Sequence, residues 1–561
     1  MTHISTRSGA SFIAETLKGY GVTHVFHVEA ILRRTLVEME SLGVRRVATH
    51  SEKAAAYMAD GYARVCHRPG VCMAQSVGAA NLAAGLQDAY LGLAPVIALT
   101  GRKPPLAQYR NAYQEILHGP MFDPVTKYNV DLDAVEQLPY LLRQAFREAT
   151  SGAPGPVHLD VTGHLGEELE IAEGNLQIIV EESFTRYPSI RPEPGAEEVR
   201  HVLSVLEKSE RPVIVAGGGA RASSAGPEIV ELAETLSIPV ATSLNGKGII
   251  LEDHPLSMGV VGSYSRWCAN RVVSEADVVI FIGSHTGDQV TNNWTVPRPG
   301  AQVIQIDIDP LELGRNYRNT IGLIGDAKAT VHKLLASLHP KTSNGPWVHR
   351  TQGLVKEWRG ELEPLLNSDA IPIRPERLCK ELTELLPSDV VLVSDTGHSA
   401  IWTGTLVYLT HLEQRYIRAA GSLGWAFPAS LGAKCAAPDR PVICFTGDGG
   451  FWYHLSELET ARRCDIKTVT IVNNNHGFGQ CSVGIDRAYG DRAGKREEMY
   501  QFRQVNFAKI AREMGCFGIR VEYPGDIVGA IHKALESDMP AVVEVVTDIR
   551  CLAPPPWTPP S

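Results

Sequence analysis

Short, continuous apolar runs alternate along the chain with longer segments whose apolar residues recur every three or four positions. The first pattern suits strands buried on both faces of a sheet. The second suits helices that cover one. From about Ser5 to Leu169, helical spacing over Ala10–Tyr20 leads into an apolar run, Val22–Val28. Further strands are predicted at Val71–Ala74, Val96–Thr100 and Val157–Val161, with a helix at Glu52–Arg64. A second set of runs, Val213–Ala216, Val278–Ile282 and Val303–Asp307, extends to about His339. A third begins near Pro372 and contains Val390–Ser394, Val442–Thr446, Thr468–Asn473 and Val542–Val546. Such alternation implies parallel sheets with helices on both faces. The predicted class is therefore α/β, with three doubly wound parallel-sheet domains at 1–185, 190–345 and 365–550 and a proline-rich tail at 551–561. Tyr187–Gly195 reads as a linker and Lys341–Pro346 as a loop. Pro554–Pro560 holds five prolines, which fits a surface strap or a disordered end but neither helix nor central strand.

Composition changes this picture little. A chain of 561 residues suits about three domains. Its 44% hydrophobic and 21% charged residues are ordinary for a globular protein. The net charge of −10, without a long run of one sign, argues against nucleic acid or an anionic membrane as main partner. No apolar stretch is long enough to predict a membrane span, and Met1–Gly9 lacks a signal-peptide pattern. The ten cysteines include no CxxC pair, so no zinc or redox motif is indicated. Reduced thiols in the cytoplasm are the simplest reading.

The sharpest chemistry lies in the third block. The run ending at Thr446 leads into Gly447-Asp448-Gly449-Gly450, and the next run leads into Asn473-Asn474-Asn475. Ligands of parallel α/β sheets bind beyond the carboxyl ends of strands, so the two polar clusters can meet. Asp448 offers a charged oxygen and Asn475 a neutral one, which suits Mg²⁺ on a diphosphate. Gly449 and Gly450 would let backbone N–H groups approach phosphate beside a helix N-terminus. Taken alone, Gly-Asp-Gly fits two ordinary β–α turns as well.

The spacing of the two clusters, with Asn475 27 residues after Asp448 and continuing His476-Gly477-Phe478-Gly479, resembles the cofactor motif of thiamine-diphosphate-dependent enzymes. The resemblance implies that Asp448, the Asn475 side chain and the Gly477 carbonyl bind the metal. His50-Ser51-Glu52 with Met58-Ala59-Asp60-Gly61-Tyr62-Ala63-Arg64 is similar to the segment carrying the family's cofactor-activating glutamate, here Glu52. Gly421-Ser422-Leu423-Gly424 resembles the segment under the cofactor. There Leu423 would be the wedge that bends it, and the Gly421 carbonyl would accept from the 4′-amino group. Asp395-Thr396-Gly397-His398-Ser399 looks like a diphosphate loop. In this family the first block of one subunit faces the third block of another. A homodimer or homotetramer with active sites at the interface is therefore implied.

The resemblance is strongest to the acetolactate-synthase-like group. Ala112-Tyr113-Gln114-Glu115 is similar to the group's Ala-Phe-Gln-Glu, whose glutamine faces the active site, and Lys127 follows at the group's spacing. Other positions depart. Glu29-Ala30-Ile31 replaces Pro-Gly-Gly after the first strand. It would put either a carboxylate that repels anionic 2-oxo acids, or a solvated loop acid, near the thiazolium end. Gln480 and Gly484 stand where synthases place methionine and tryptophan, and Cys481 where simple decarboxylases place glutamate. The decarboxylases' His-His pair is absent, His118 standing alone, and His27 near the first strand's end is more commonly structural. Gly217-Gly218-Gly219 raises FAD, which synthases of the group bind structurally. Asp123 replaces an arginine that contacts it, so an empty or adenine-nucleotide-binding middle block stays open as well.

The expected activity is carbon–carbon bond formation or cleavage beside a carbonyl of a small 2-oxo acid or related ketone. Glu52, Gln114 and Gln480 are the candidate catalytic groups. A flavin-linked oxidase, a 2-oxo acid decarboxylase and a non-catalytic regulatory paralogue are the alternatives. The joint presence of Glu52, Asp448 and Asn475 argues against the last.

Overall fold

Every apolar run predicted as a strand is a strand of one of three six-stranded sheets in the computed structural model, which describes residues 6–338 and 344–560. All pairings within the three sheets are parallel. The first sheet runs in the order Arg45–Ala48, His24–His27, Gly70–Ala74, Val96–Arg102, Val157–Thr162, Tyr128–Leu132. The second runs Ser257–Val260, Val240–Thr242, Pro212–Ala216, Val278–Ile282, Gln302–Asp307, Thr320–Ile324. The third runs Arg415–Arg418, Val391–Ser394, Val442–Gly447, Val469–Asn474, Ala541–Val546, Phe517–Val521. Strands of these sheets absent from the sequence-based expectation are the six edges and the three-residue Val240–Thr242, and a short antiparallel pair, Arg7–Ser8 with Glu173–Gly174, was not expected either. Several edges carry charge or stay half-exposed, as Arg45–Ala48 and Tyr128–Leu132 do, so they lack the apolar run that marks a central strand.

The strand order reverses beside His24–His27 in the first sheet, beside Pro212–Ala216 in the second, and between Val391–Ser394 and Val442–Gly447 in the third; the last two strands of the first and third sheets are also exchanged. A crevice opens at such a reversal because adjacent connections leave on opposite faces. The predicted site residues of the third block therefore stand at its natural crevice.

Two expectations are refined. Gly345 and Pro346 are not loop but open a helix, Gly345–Leu366, while Lys341–Ser343, like His339 and Met1–Ser5, lie outside the described residues. Proline at the first turn suits a helix start. Trp347, Leu354 and Trp358 of that helix enter a core shared by the second and third blocks. The tail is a strap: the Trp557 carbonyl accepts from Asn270 and Asn292 of the middle block. Among the described residues no helix is long and apolar enough to cross a membrane.

The first and third blocks meet through helix α1, Glu52–Cys66, which also packs on α2, Gly78–Leu91, and through α3, Ala426–Ala436. Ala55, Ala56 and Ala59 share a core with Ala426, Ala429 and Ala433. Small residues let the backbones touch. A Cβ on Gly61 would stand 2.1 Å from the Ala429 carbonyl oxygen, and one on Gly432 1.9 Å from that of Met58. Gly61→Ala is therefore expected to destabilise the protein by about 2–3 kcal/mol through overpacking. Urea unfolding checks this, and an unchanged midpoint would contradict the contact.

Candidate cofactor site

The parallel register of the third sheet brings the two polar turns together. Gly447 pairs with Asn473, so Asp448 and Asn475 leave neighbouring strand ends side by side. Asp448 is buried, and burial pushes its carboxyl up to about 7 while backbone amides of Asn475, Gly449 and Gly477 pull it back. The Asn475 Oδ1 is buried with no partner. A buried carboxylate beside an orphaned amide oxygen is a costly arrangement, and a bound cation would relieve it. Among the described residues no group of three or more His, Cys, Asp or Glu could hold a metal. The site thus offers one acid plus neutral oxygens. That donor set fits Mg²⁺, which fills its remaining positions with phosphate oxygens and water.

Asp395 ties the surrounding loops together. Its Oδ1 accepts the amides of Thr396 at 2.8 Å and Gly424 at 3.1 Å, and its Oδ2 accepts the Thr446 hydroxyl at 3.0 Å. One buried carboxylate therefore joins the Thr396–Ser399 turn, the Gly421–Gly424 segment and the strand ending in Gly447. Burial raises it to about 6, against those hydrogen bonds. Gly397 has φ +66°, and a Cβ there would lie 2.6 Å from Gln480 Oε1. A Cβ on Gly450 would lie 2.8 Å from Asp395 Oδ2. Ser399 is buried, its hydroxyl 3.7 Å from where a Gly447 Cβ would be. His398 is half-buried against Trp402, and burial lowers it to about 4, so it is neutral. Gly421 is exposed with open space around it, and Leu423 is half-buried.

The other candidates have partners of their own. Glu52 is the first residue of α1 and half-buried, and its Oε2 accepts from Asn81 Nδ2 at 2.8 Å. Among the described residues no hydrogen bond or ion pair joins it to the third block. Gln114 sits at φ +61°, its carbonyl held by the Ser76 hydroxyl and its Oε1 buried without a partner. Gln480 is exposed and donates to the Tyr264 hydroxyl at 3.3 Å. Glu29 is exposed and paired with Arg33 at 2.6 Å, so it is a solvated loop acid with its charge balanced one turn away. His27 is buried, burial lowers its pKa, and its Nδ1 is unpartnered. The His118 ring pairs with Asp160 at 2.9 Å, and Cys481 is exposed at the start of a helix.

A cavity of about 1140 Å³ opens at the strand reversal of the middle block and is also lined by residues of the other two. Gly218, Gly219, Arg221, Tyr264, His285 and Asp307 are among its walls. Arg221 is half-buried, and its Nε and Nη2 have no partner.

Comparison with known proteins places these features. Residues 7–121 match the thiamine pyrophosphate enzyme N-terminal TPP binding domain, 199–334 the central domain and 395–545 the C-terminal TPP binding domain. The chain belongs to the thiamine pyrophosphate enzyme family. It is 34% identical to a probable acetolactate synthase large subunit of Methanocaldococcus jannaschii, over 96% of this chain and 92% of that protein. It is 29% identical to the acetolactate synthase large subunit of Lactococcus lactis, over 96% and 92%. It is 28% identical to the acetolactate synthase isozyme 3 large subunit of Escherichia coli, over 94% and 92%. The protein is thus a thiamine-diphosphate-dependent enzyme of the acetolactate synthase-like kind.

Sequence reasoning placed Asp395 in a loop of this thiamine pyrophosphate enzyme but not as the hub of three segments, and it missed Tyr264 as the neighbour of Gln480 and Arg221 in the cavity. These roles leave no local pattern, because Gly424, Thr446, Gln480 and the cavity walls are distant in sequence from the residues they meet. Asp448→Ala is expected to abolish divalent-cation-dependent binding of thiamine diphosphate. Titration calorimetry with and without Mg²⁺ checks this, and wild-type affinity in the variant would remove Asp448 from the metal site.

Proposed function

We propose that this enzyme makes or breaks a carbon–carbon bond beside a carbonyl, as an acetolactate synthase-like carboligase acting on 2-oxo acids or related ketones with thiamine diphosphate and Mg²⁺. The observation that carries the reading is the pair formed by buried Asp448 and the orphaned Asn475 oxygen, which a Mg²⁺-bound diphosphate would satisfy together. The relatives' names support the reaction class.

Asp448, the Asn475 side chain and the Gly477 carbonyl would hold the metal. Gly397, His398, Ser399, Gly449 and Gly450 would surround the diphosphate. Gly421 would accept from the 4′-amino group, and Leu423 would support the ring. When bound, thiamine diphosphate supplies a carbanion that adds to a carbonyl and stores the electron pair left after cleavage. Glu52 would hold the proton at the pyrimidine nitrogen. Gln114, whose Oε1 lacks a partner, and Gln480 would hydrogen-bond substrate oxygens as their charge changes. The Glu29–Arg33 pairing balances the loop acid, so Glu29 does not stand against an anionic substrate.

Glu52 is held within its own block, which supports at least a homodimer, or a homotetramer, with a second copy of the chain completing each site. The middle cavity would take FAD: its volume, its glycine turn and the unpartnered Arg221 N–H groups suit a dinucleotide diphosphate. Ten free cysteines suit a reducing compartment such as the cytoplasm.

Three measurements test this reading. Glu52→Gln is expected to slow exchange of the bound cofactor's C2 proton at least ~100-fold by NMR, the scale of a lost general acid–base group; an unchanged rate would remove Glu52 from that role. Incubation with a panel of 2-oxo acids and 2-hydroxy ketones should give covalent cofactor adducts and ligated products by mass spectrometry. No adduct with any of them would overturn the reaction class. Purified protein should carry flavin fluorescence, and an adenine nucleotide without flavin would contradict FAD.

A further inference from the structure

Helix α2 carries an acid where its own electrostatics disfavour one. Asp88 lies in the last turn of Gly78–Leu91, and the helix dipole makes that end negative. The side chain is also fully buried. Its partners explain its place. Oδ1 accepts the amide of Ala420 at 2.8 Å, and Oδ2 accepts those of Gly421 at 3.2 Å and Ser422 at 3.0 Å. Three successive main-chain N–H groups close around one carboxylate, forming an anion nest. Arg64 also donates to Oδ1, at 3.2 Å, but it is engaged in a two-pronged pair with Asp60 at 2.6 and 2.8 Å. Two buried carboxylates thus share one guanidinium, and the main-chain dipoles balance the remaining charge.

The far end of the same segment is held by Asp395 through Gly424, at 3.1 Å. Residues 420–424 are therefore clamped by one acid from each block, and Gly421 and Leu423 lie between the clamps. We propose that Asp88 is a positioning residue that fixes Gly421 and Leu423 against the bound cofactor from the first block of the same chain. This rests on the assignment of Gly421 and Leu423 to cofactor binding made above.

An asparagine at 88 keeps one acceptor oxygen and turns an N–H₂ group toward N–H donors, so the nest cannot close. The diphosphate and metal ligands lie on other loops and are left intact. The loss should therefore appear in cofactor geometry rather than in cofactor retention.

The test uses the full-length enzyme with thiamine diphosphate and Mg²⁺. Asp88→Asn is expected to bind the cofactor within about threefold of wild type while its C2-proton exchange falls ~100-fold, the cost of a misplacement near 1 Å. Asp88→Glu, which keeps the charge, should recover about tenfold of that loss. Amide hydrogen exchange of Ala420, Gly421 and Ser422 in the wild-type holoenzyme should be at least ~100-fold slower than in unprotected loops, and decides the matter should Asp88→Asn not fold. Wild-type C2 exchange in the asparagine variant, or fast amide exchange at 420–422, overturns the clamp alone. A wild-type protein that binds no thiamine diphosphate overturns the cofactor assignment as well.

Discussion

Buried carboxylates satisfied by main-chain N–H groups hold the working loops of this protein. Asp395 takes amides from Thr396 and Gly424, and Asp88 takes three from residues 420–422. A carboxylate out of water is costly unless its lone pairs are filled, and charge-assisted hydrogen bonds are stronger than neutral ones. Each acid therefore penalises any loop shape but one. Glycine-rich segments, which have much backbone freedom to lose, acquire fixed shapes without bulky side chains of their own.

These acids work only because the blocks are pressed together. The α1–α3 contact is built from alanines and from Gly61 and Gly432, so backbones approach to contact distance. That closeness lets α2 deliver Asp88 to a loop of another block. Its companions also cross the boundary: Trp425 donates to Asp60 at 2.8 Å, and Arg64 donates to the Arg418 carbonyl at 2.8 Å. A second buried cluster joins the middle and third blocks. Glu252 binds Lys247 and Arg266, Arg266 reaches the Thr405 carbonyl, and the guanidinium lies between Trp358 and Tyr408. Breaking either cluster would leave unpaired charge in the interior, so both boundaries are intolerant of partial opening.

Much of the architecture was legible along the chain. Central strands of parallel sheets are buried on both faces and therefore write themselves as apolar runs; Val278–Ile282 has the same bounds in sequence pattern and structure. Edge strands such as Tyr128–Leu132 have one open side and carry polar residues, so they left no such mark. The helix from Gly345 was hidden by proline and glycine at its start, although proline is compatible with a first turn. In the site, the turns around Asp448 and Asn475 were visible because each follows its own strand directly.

The sequence by itself determined the α/β class, the central strands and the polar turns of the cofactor motif, because each depends on residues close together in the chain. Only the tertiary structure decided which groups serve those turns from elsewhere. Asp88 meets its amides across 332 positions, and the register that sets Gly447 beside Asn473 is a property of the sheet. It also decided the standing of Glu29, which pairs with Arg33 in solvent, and of Asn475, whose oxygen is left without a partner. Burial and charge balance depend on what folds over a residue, and no local pattern carries that information.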